Sequence, residues 1–172
     1  LLCLLTVHHT YSTVFNVDND GTDAVVNSFR WALDQANTTP GPHTIRFGIA
    51  GEFTLPVLPF VPGPGIQGND ITIDGTSAPG YSPGNIVVGL KGGSAFGAFQ
   101  INGNNAVVMG VAIYGDLGGN ISVKINGDNA EVYACSFDMN IAGTAVVPNS
   151  SNLKFLITGS NSKIGEDSDE KR

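Results

Sequence analysis

The chain has 172 residues, of which 41% are hydrophobic and only 13% are charged, and its formal net charge is −7. This length is sufficient for one domain with a continuous core. Lys and Arg number only eight, and a phosphate backbone requires a basic patch, so the composition argues against nucleic-acid binding. Two cysteines are too few for a disulfide framework.

Residues 1–12 are interpreted as the remnant of a signal peptide. Residues 1–7 are mostly apolar, but this run is too short for a membrane span. We therefore predict no membrane span. A first strand and a frameshifted gene start are the alternative interpretations of the same residues.

Residues 13–65 are predicted to form an N-terminal cap region that begins with a strand over Thr13–Val17. An acidic turn follows and contains Asp18, Asp20 and Asp23. Its carboxylates raise the question of calcium, but an EF-hand loop needs Gly at its sixth position and Glu at its twelfth, and here Gly is fourth. We expect a solvated turn and no cofactor, with calcium binding left open.

One helix is predicted, from about residue 27 to residue 37. Asn27 is the expected N-cap, and the Pro40-Gly41-Pro42 segment stops the helix. Its apolar residues recur at i, i+3, i+4 and i+7, namely Phe29, Ala32, Leu33 and Ala36. We expect this stripe to cover one end of the core, with Arg30 and Trp31 in packing or ion-pairing roles.

Residues 66–165 are predicted to form the repeating part of the molecule, because one stretch occurs twice. Ile101-Asn102-Gly103 returns as Ile125-Asn126-Gly127, and the similarity extends over residues 99–113 and 123–137 at an offset of 24 residues. Weaker copies are predicted at Ile73 and Ile157. Short strands separated by Asn/Gly turns at such a period are typical of solenoids, and a bend is expected at Gly110 and Ala134.

Further short strands are expected on both sides of this repeat. Residues 56–68 are interpreted as an irregular connection because they are rich in Pro and Gly, and the charged residues 166–172 as a disordered tail. The predicted strands are residues 44–47, 52–55, 71–73, 86–90, 121–125, 145–147 and 153–158.

Cys135 aligns with Val111 in the repeat and is expected to face the core as a free thiol. A nucleophilic role would need a nearby histidine, whereas His8, His9 and His43 all lie in the N-terminal quarter.

Several segments together resemble secreted right-handed parallel β-helix proteins of the bacterial cell-surface and adhesin-like kind. The most specific is Thr72-Ile73-Asp74-Gly75-Thr76-Ser77-Ala78-Pro79-Gly80-Tyr81. Residues 28–33 resemble the Ser-Leu-Arg-x-Ala-Ile helix of that family, and residues 44–47 its Thr-Ile-x-Phe strand. Asn27 stands where a Gly is usual, and family members are often much longer. The resemblance implies an all-β fold, a right-handed parallel β-helix with one short N-terminal capping helix and its first coils.

We expect a non-catalytic extracellular or cell-surface module that serves as a scaffold, in adhesion or in glycan contact. One alternative is a polysaccharide lyase or glycoside hydrolase of the parallel β-helix type, which would need a base or two carboxyl groups. We assign no catalytic residue; the groups available for such chemistry are Asp70, Asp74, Asp116, Asp128, Glu131, Asp138, Lys91 and Lys124.

Another alternative is a unit that stacks end to end, because an open end of a repeat protein exposes strand edges and core side chains. Its partner would be another β-solenoid end. N-glycosylation sequons occur at Asn37, Asn120 and Asn149 and would matter only in a eukaryotic secretory pathway.

Overall fold

The computed structural model describes residues 12–21, 25–55, 65–92, 99–115, 121–147 and 153–165. The signal-peptide interpretation was made for residues 1–12, of which all but Ser12 lie outside these ranges, and the predicted tail at 166–172 also lies outside them.

The described residues are mostly β-strand, with one α-helix, α1 (Phe29–Thr38). A 3-10 turn spans Gly75–Ser77. The strands are β1 (Thr13–Val17), β2 (His43–Phe47), β3 (Gly51–Thr54), β4 (Gly65–Ile66), β5 (Ile71–Asp74), β6 (Val88–Gly92), β7 (Phe99–Ile101), β8 (Val107–Met109), β9 (Val111–Gly115), β10 (Ile121–Ile125), β11 (Glu131–Tyr133), β12 (Ser136–Phe137), β13 (Leu153–Ile157) and β14 (Lys163–Ile164).

The strands form three sheets, and all pairings between neighbouring strands are parallel. The first sheet has the order β1-β2-β5-β8-β11-β14, the second β3-β6-β9-β12 and the third β4-β7-β10-β13. From β2 onward the chain therefore visits the first, second and third sheets in turn and repeats that cycle. This confirms the predicted β class and the parallel pairing.

The strand register confirms the repeat of 24 residues. Val123 pairs with Phe99, Val132 with Val108 and Ser136 with Ala112, each at that offset. The predicted bend is also confirmed, because Gly110 and Ala134 both have positive φ, 67° and 51°.

One of the two weaker copies was assigned correctly. Ile157 pairs with Ile125, as the repeat predicts. Ile73 does not pair with Ile101; the partner of Ile101 is Ile66, 35 residues before it, whereas Ile73 pairs with Val108. The prediction of an irregular connection over residues 56–68 is therefore wrong at its C-terminal end, where β4 lies.

The helix prediction is confirmed, but its N-cap was wrong. Ser28 is the N-cap, and its hydroxyl accepts a hydrogen bond from the Trp31 N–H at 3.1 Å. Asn27 instead adopts a left-handed conformation with φ 66°, which glycine adopts most readily and asparagine tolerates. The predicted apolar stripe is buried, and the helix continues one residue further, to Thr38.

A strand over residues 145–147 was also predicted and does not form. Residues 139–146 instead make a loop that is closed by an antiparallel bridge between Met139 and Val146. Asn140 holds this 139–146 loop, because its Oδ1 accepts from the backbone N–H of Thr144 at 2.9 Å and of Ala145 at 3.1 Å. A short polar side chain that bonds nearby backbone competes with strand pairing.

The core runs between the three sheets, and α1 packs against β1, β2 and β4 at one end of it. Where the helix meets the core, the ring of Phe29 in α1 packs with the rings of Phe47 and Phe53. All three are buried, with centroids 5.1 to 6.3 Å apart. At the opposite end, on β13 and β14, the exposed fraction reaches 36% for Leu156, 45% for Ile157 and 39% for Ile164.

Candidate functional site

The outward face of the second sheet carries a polar cluster of Glu52, Lys91 and Tyr114. The Tyr114 hydroxyl donates to Glu52 Oε1 at 2.5 Å, and Lys91 Nζ lies 3.6 Å from Glu52 Oε2. In register Glu52 lies opposite Gly89, and Lys91 opposite Tyr114. Side chains alternate along a strand, so the neighbouring Phe53, Leu90 and Ile113 face inward and are buried.

Gly89 allows Tyr114 to cross the sheet toward Glu52. A Cβ atom at Gly89 would lie 2.7 Å from the Tyr114 hydroxyl and 2.6 Å from Ile141 Cγ2, both closer than atoms can approach. A glycine inside a strand often marks such a close approach. The Tyr114 ring therefore lies over the strand and is only 2% exposed.

The electrostatics of the cluster make Tyr114 a hydrogen-bond donor. Burial raises the pKa of the Tyr114 phenol well above its usual range, and the hydrogen bond to Glu52 and the negative charge of Glu52 raise it further. A phenol that stays protonated at neutral pH cannot act as a base. The half-exposed Glu52 and Lys91 remain accessible to a molecule in solution.

An open groove of about 370 Å³ lies beside this cluster. The 139–146 loop supplies Ile141 and Ala142 to one side, and the segment before β6 supplies Ile86 and Val87. Gly51, next to Glu52, also lines the groove, and the Gly51 N–H is bonded to the Val87 carbonyl at 2.9 Å. Ile141 and the Tyr114 hydroxyl both lie over Gly89, so groove and cluster are contiguous.

Sequence reasoning identified only Lys91 of this cluster, as a base candidate. Glu52 and Tyr114 were missed because their contact depends on the register of three strands that lie far apart in sequence. The detectable indication was Gly89, a glycine between the apolar residues Val88 and Leu90.

A second feature is a set of stacked hydrogen bonds at the turns that follow the third sheet, here named the amide ladder. In its first row, Asn102 Nδ2 donates to Gln67 Oε1 at 2.6 Å, Asn126 Nδ2 to Asn102 Oδ1 at 2.5 Å and Thr158 Oγ1 to Asn126 Oδ1 at 2.8 Å. Asn37, at the end of α1, begins this stack, because its Oδ1 accepts from the Gln67 N–H at 2.8 Å.

The second row of the amide ladder joins side chains to backbone. The N–H of Asn104 bonds to Asn69 Oδ1 at 2.9 Å, that of Asp128 to Asn104 Oδ1 at 2.9 Å, and that of Ser160 to Asp128 Oδ1 at 2.7 Å. The next residue in each turn has φ between 56° and 58°, namely Asp70, Asn105, Asn129 and Asn161. Asn and Asp tolerate this conformation better than other non-glycine residues.

In each turn, a glycine stands directly before the residue of the second row, because the stacked turns approach one another closely at that position. A Cβ at Gly103 would lie 1.7 Å from the Gly68 carbonyl oxygen, and a Cβ at Gly127 2.0 Å from that of Gly103. The motif Ile-x-Gly-x-(Asn/Asp) therefore occurs four times, beginning at Ile66, Ile101, Ile125 and Ile157.

The acid and base candidates are distributed over several parts of the fold. Asp70 and Asp128 belong to the amide ladder, where Asp70 Oδ1 accepts from Asn105 Nδ2 at 2.9 Å. Asp74 lies at the end of β5 in the first sheet; its Oδ1 accepts from the Thr76 hydroxyl at 2.5 Å, and its Oδ2 lies 3.9 Å from Arg46 Nε.

The remaining candidates lie on other elements. Glu131, on the first sheet, pairs with Lys163 at 3.3 Å, and Lys124 lies beside Gln100 in the register of the third sheet. Asp138 is buried directly after β12, where the 139–146 loop begins. Asp116 lies outside the described residues.

The acidic turn is described only in part, since Asp23 lies outside the described ranges. Asn19 Oδ1 accepts from the Gly21 N–H at 2.7 Å, an arrangement typical of a turn. Over the described ranges, no group of three or more His, Cys, Asp or Glu side chains is placed to hold a metal ion. Calcium binding at residues 18–23 stays an open hypothesis.

Cys135 is a free thiol that packs against the core and is partly exposed. Burial raises the pKa of the Cys135 thiol to about 12, although backbone hydrogen bonds at Val111 and Gly110 act to lower it. His43 is buried beside Phe15, and its Nε2 lies 3.0 Å from both the hydroxyl and the carbonyl oxygen of Thr39. The other two histidines lie outside the described residues.

Of the three sequons, only Asn37 is described. Its Nδ2 donates to the Gly65 carbonyl at 3.0 Å, and its Oδ1 accepts from two backbone N–H groups. A glycan on this nitrogen would disrupt the start of the amide ladder.

No protein-family model matches the chain, and neither a curated protein nor a solved structure matches it. In the part of the chain that the structure describes, no helix has the length and apolar character needed to cross a membrane.

Proposed function

We propose that the chain is a right-handed parallel β-helix, as the family resemblance implies. The repeated visit to three parallel sheets in a fixed order supports this fold. Its handedness follows from the general rule that parallel strand–crossover–strand connections are right-handed in about 98% of cases.

This β-helix serves as a non-catalytic extracellular or cell-surface module, a rigid scaffold that contacts glycans. The amide ladder is the observation that carries the scaffold part of the proposal, whereas the extracellular location and the glycan contact rest on the family resemblance. Hydrogen bonds between side chains join four successive turns and continue into the end of α1. Networks of side-chain hydrogen bonds rigidify a structure where their donors and acceptors are satisfied. In the ladder, Asn102 and Asn126 each accept and donate along the row, whereas Gln67 Nε2 is buried without a partner among the described residues.

The placement of the acid and base candidates argues against catalysis. A glycoside hydrolase needs two carboxyl groups about 5 to 9.5 Å apart across a cleft. Among the candidates, Glu131 and Asp74 lie on the first sheet, Lys91 on the second, and Asp70 and Asp128 in the amide ladder, whereas Asp116 lies outside the described residues. The enzyme alternative therefore depends on fold analogy, which is a weak basis for function.

Incubation with polysaccharides tests this function. The purified chain is mixed with neutral and acidic polysaccharides, with calcium present and then chelated, and both retention on the polymers and reaction products are measured. We expect retention on at least one polymer, without unsaturated or newly formed reducing-end products. Product formation would contradict the proposal, and so would a chain that is retained on none of the polymers.

End-to-end self-association is a second candidate function. It is favoured by Leu156, Ile157 and Ile164, which are exposed on the last described strands, whereas α1 covers the opposite end of the core. Strand edges with apolar side chains favour pairing with another chain. Light scattering over a range of concentrations should show dimers that Ile164→Lys abolishes and Val146→Lys, on the 139–146 loop, does not. A monomeric mass at the highest concentration would exclude this function.

A further inference from the structure

We propose that the groove between the second sheet and the 139–146 loop binds one neutral pyranose ring of a glycan. This site rests on the proposed function, because it specifies where glycan contact occurs and which class of sugar is bound. Three observations support it: the shape of the groove, the polar cluster that adjoins it and the charge of that cluster.

The shape and apolar walls suit one face of a sugar ring. The volume of about 370 Å³ lies in the range of small-molecule sites. Ile86, Val87 and Ile141 provide apolar side chains to its walls, and each is partly exposed in the groove. The C–H groups on one face of a pyranose form an apolar patch that can contact such aliphatic side chains.

The polar cluster offers hydrogen bonds to the hydroxyl groups of the ring. Glu52 Oε1 accepts from Tyr114, but an ionised carboxylate has about four acceptor positions and therefore keeps capacity for further donors. Lys91 Nζ carries three donors and lies 3.6 Å from Glu52 Oε2. Neither side chain lines the groove itself, but Glu52 follows the groove-lining Gly51, so a sugar hydroxyl at that edge can donate to Glu52 and a hydroxyl further along the sheet can accept from Lys91.

The charge of the cluster selects a neutral sugar. Glu52 and Lys91 carry opposite charges that sum to zero, and the whole chain has a net charge of −7. A uronate carboxylate near the cluster would be attracted by Lys91 but repelled by Glu52, so it would gain little over a neutral sugar. Discrimination of this kind is a difference between two affinities, to which a repulsive contact contributes directly.

The wall formed by the 139–146 loop is fixed in place before a ligand binds. Asn140 bonds to Thr144 and Ala145, the Val147 N–H bonds to the Asp138 carbonyl at 2.7 Å, and Ile141 rests over Gly89. A site that is already formed loses less conformational freedom on binding, which favours affinity for a small ligand.

Nuclear magnetic resonance titration of the whole chain tests this site. The neutral probes are the methyl glycosides of glucose, galactose, mannose and N-acetylglucosamine, and the charged probe is methyl glucuronide. At least one neutral probe should bind with a Kd in the millimolar range, as expected for a ligand of this size. It should shift the amide resonances of Gly51, Gly89 and Ile141, and methyl glucuronide should bind no more tightly.

Two variants and one control locate the binding. Ile141→Ala removes the apolar wall, and Lys91→Met removes the donor, and each should weaken binding by roughly tenfold. Val146→Ala alters the same loop at a side chain that is 67% exposed, and it should leave binding unchanged. Amide spectra of all three variants establish whether each remains folded.

The results of the titration test the sugar site separately from the scaffold proposal. Absence of binding by all neutral probes, shifts confined to other parts of the chain, or tighter binding of methyl glucuronide would overturn the site. None of these results would make the chain an enzyme or remove its retention on a polymer, so the scaffold proposal would stand. Reaction products from a polysaccharide would refute the scaffold proposal whether or not the groove binds a sugar.

Discussion

The two ends of the described core are built from similar strands but differ in what lies against them. At the first end, α1 contributes Phe29, whose ring packs on Phe47 and Phe53, and these three residues are each about 1% exposed. At the other end, β13 and β14 present side chains such as Ile157 and Ile164 that are more than a third exposed. Because each turn of a repeat protein is stabilised mainly by its neighbours, we expect local stability to fall from the first end to the second.

The largest expected effect comes from removing one aromatic ring at each end of the core. Phe29→Ala removes a buried ring and should lower the free energy of unfolding by about 3–5 kcal/mol. Phe155→Ala removes a ring that is only partly buried, although it makes a T-shaped contact with Phe137 at 4.6 Å, and should cost about 1–2 kcal/mol. Denaturant unfolding of both variants measures the difference, and equal losses would contradict the comparison.

A second pair of variants adds a methyl group at two glycines where it would clash with the backbone of the preceding turn. A Cβ at Gly103 would lie 1.7 Å from the Gly68 carbonyl oxygen, and one at Gly159 2.0 Å from that of Gly127. Gly103→Ala should cost about 2–3 kcal/mol because turns on both sides restrict adjustment, whereas Gly159→Ala, in the last described turn, should cost about 1 kcal/mol.

Gly143→Ala provides the control for the steric term, since no atom lies within 4 Å of its Cβ position. Its φ of 62° makes alanine unfavourable, so a loss of about 1 kcal/mol is expected from the backbone alone. If Gly103→Ala cost no more than Gly143→Ala in thermal unfolding, the close approach of the stacked turns would be refuted.

Two substitutions in the amide ladder form a third pair, for which smaller losses of stability are expected. Asn102→Ala removes one bond to Gln67 and one from Asn126 and should cost about 2 kcal/mol, because partners are left unsatisfied. Thr158→Val removes one ladder bond at the last described turn and should cost at most about 1 kcal/mol. Asn16→Ala, an exposed position on β1, should change stability by less than about 0.5 kcal/mol. A loss at Asn102 as small as that at Asn16 would show that the ladder does not stabilise the fold.

The smallest effect is the pH dependence at Tyr114. Its pKa is raised in the folded chain, so the neutral phenol is favoured by folding. This contribution is fully present below the ordinary tyrosine pKa of about 10 and is lost as pH rises through the folded pKa, because the unfolded phenol ionises first. Tyr114→Phe should cost about 1 kcal/mol at pH 7 and should flatten the decline in stability above pH 10. If the stability of Tyr114→Phe fell above pH 10 as steeply as that of the unsubstituted chain, the fall would arise from groups other than Tyr114.

Much of the fold could be predicted because it is encoded in local patterns. The Ile-Asn-Gly turns at 101 and 125 predicted the register at an offset of 24 residues, and the stripe from Phe29 to Ala36 predicted the helix. The copy at Ile66 was missed because Ile66 lies within residues 56–68, whose Pro and Gly content predicted an irregular connection, and because Gln67 replaces the first asparagine. The N-cap was assigned one residue early because Asn27 and Ser28 are both good capping residues.

The candidate site could not be predicted in the same way. Glu52, Gly89 and Ala112 share one row of the second sheet at offsets of 37 and 23 residues, and no local pattern contains that register. A strand was predicted over residues 145–147 because Ala145, Val146 and Val147 are apolar, but Asn140 bonds to the backbone of Thr144 and Ala145 and holds these residues in a loop. Its position over Gly89 depends on packing between segments that are distant in sequence.

Native-state hydrogen exchange tests the central claim most directly, namely that stacked parallel turns depend on their neighbours and on the helix at one end. We predict that amide protection is highest in β2 and β5, is lower in β8 and falls further through β11 to β14. The Asn102 and Asn126 N–H groups should exchange more slowly than the Thr158 N–H. Uniform protection along the chain, or greatest protection in β13 and β14, would contradict this account.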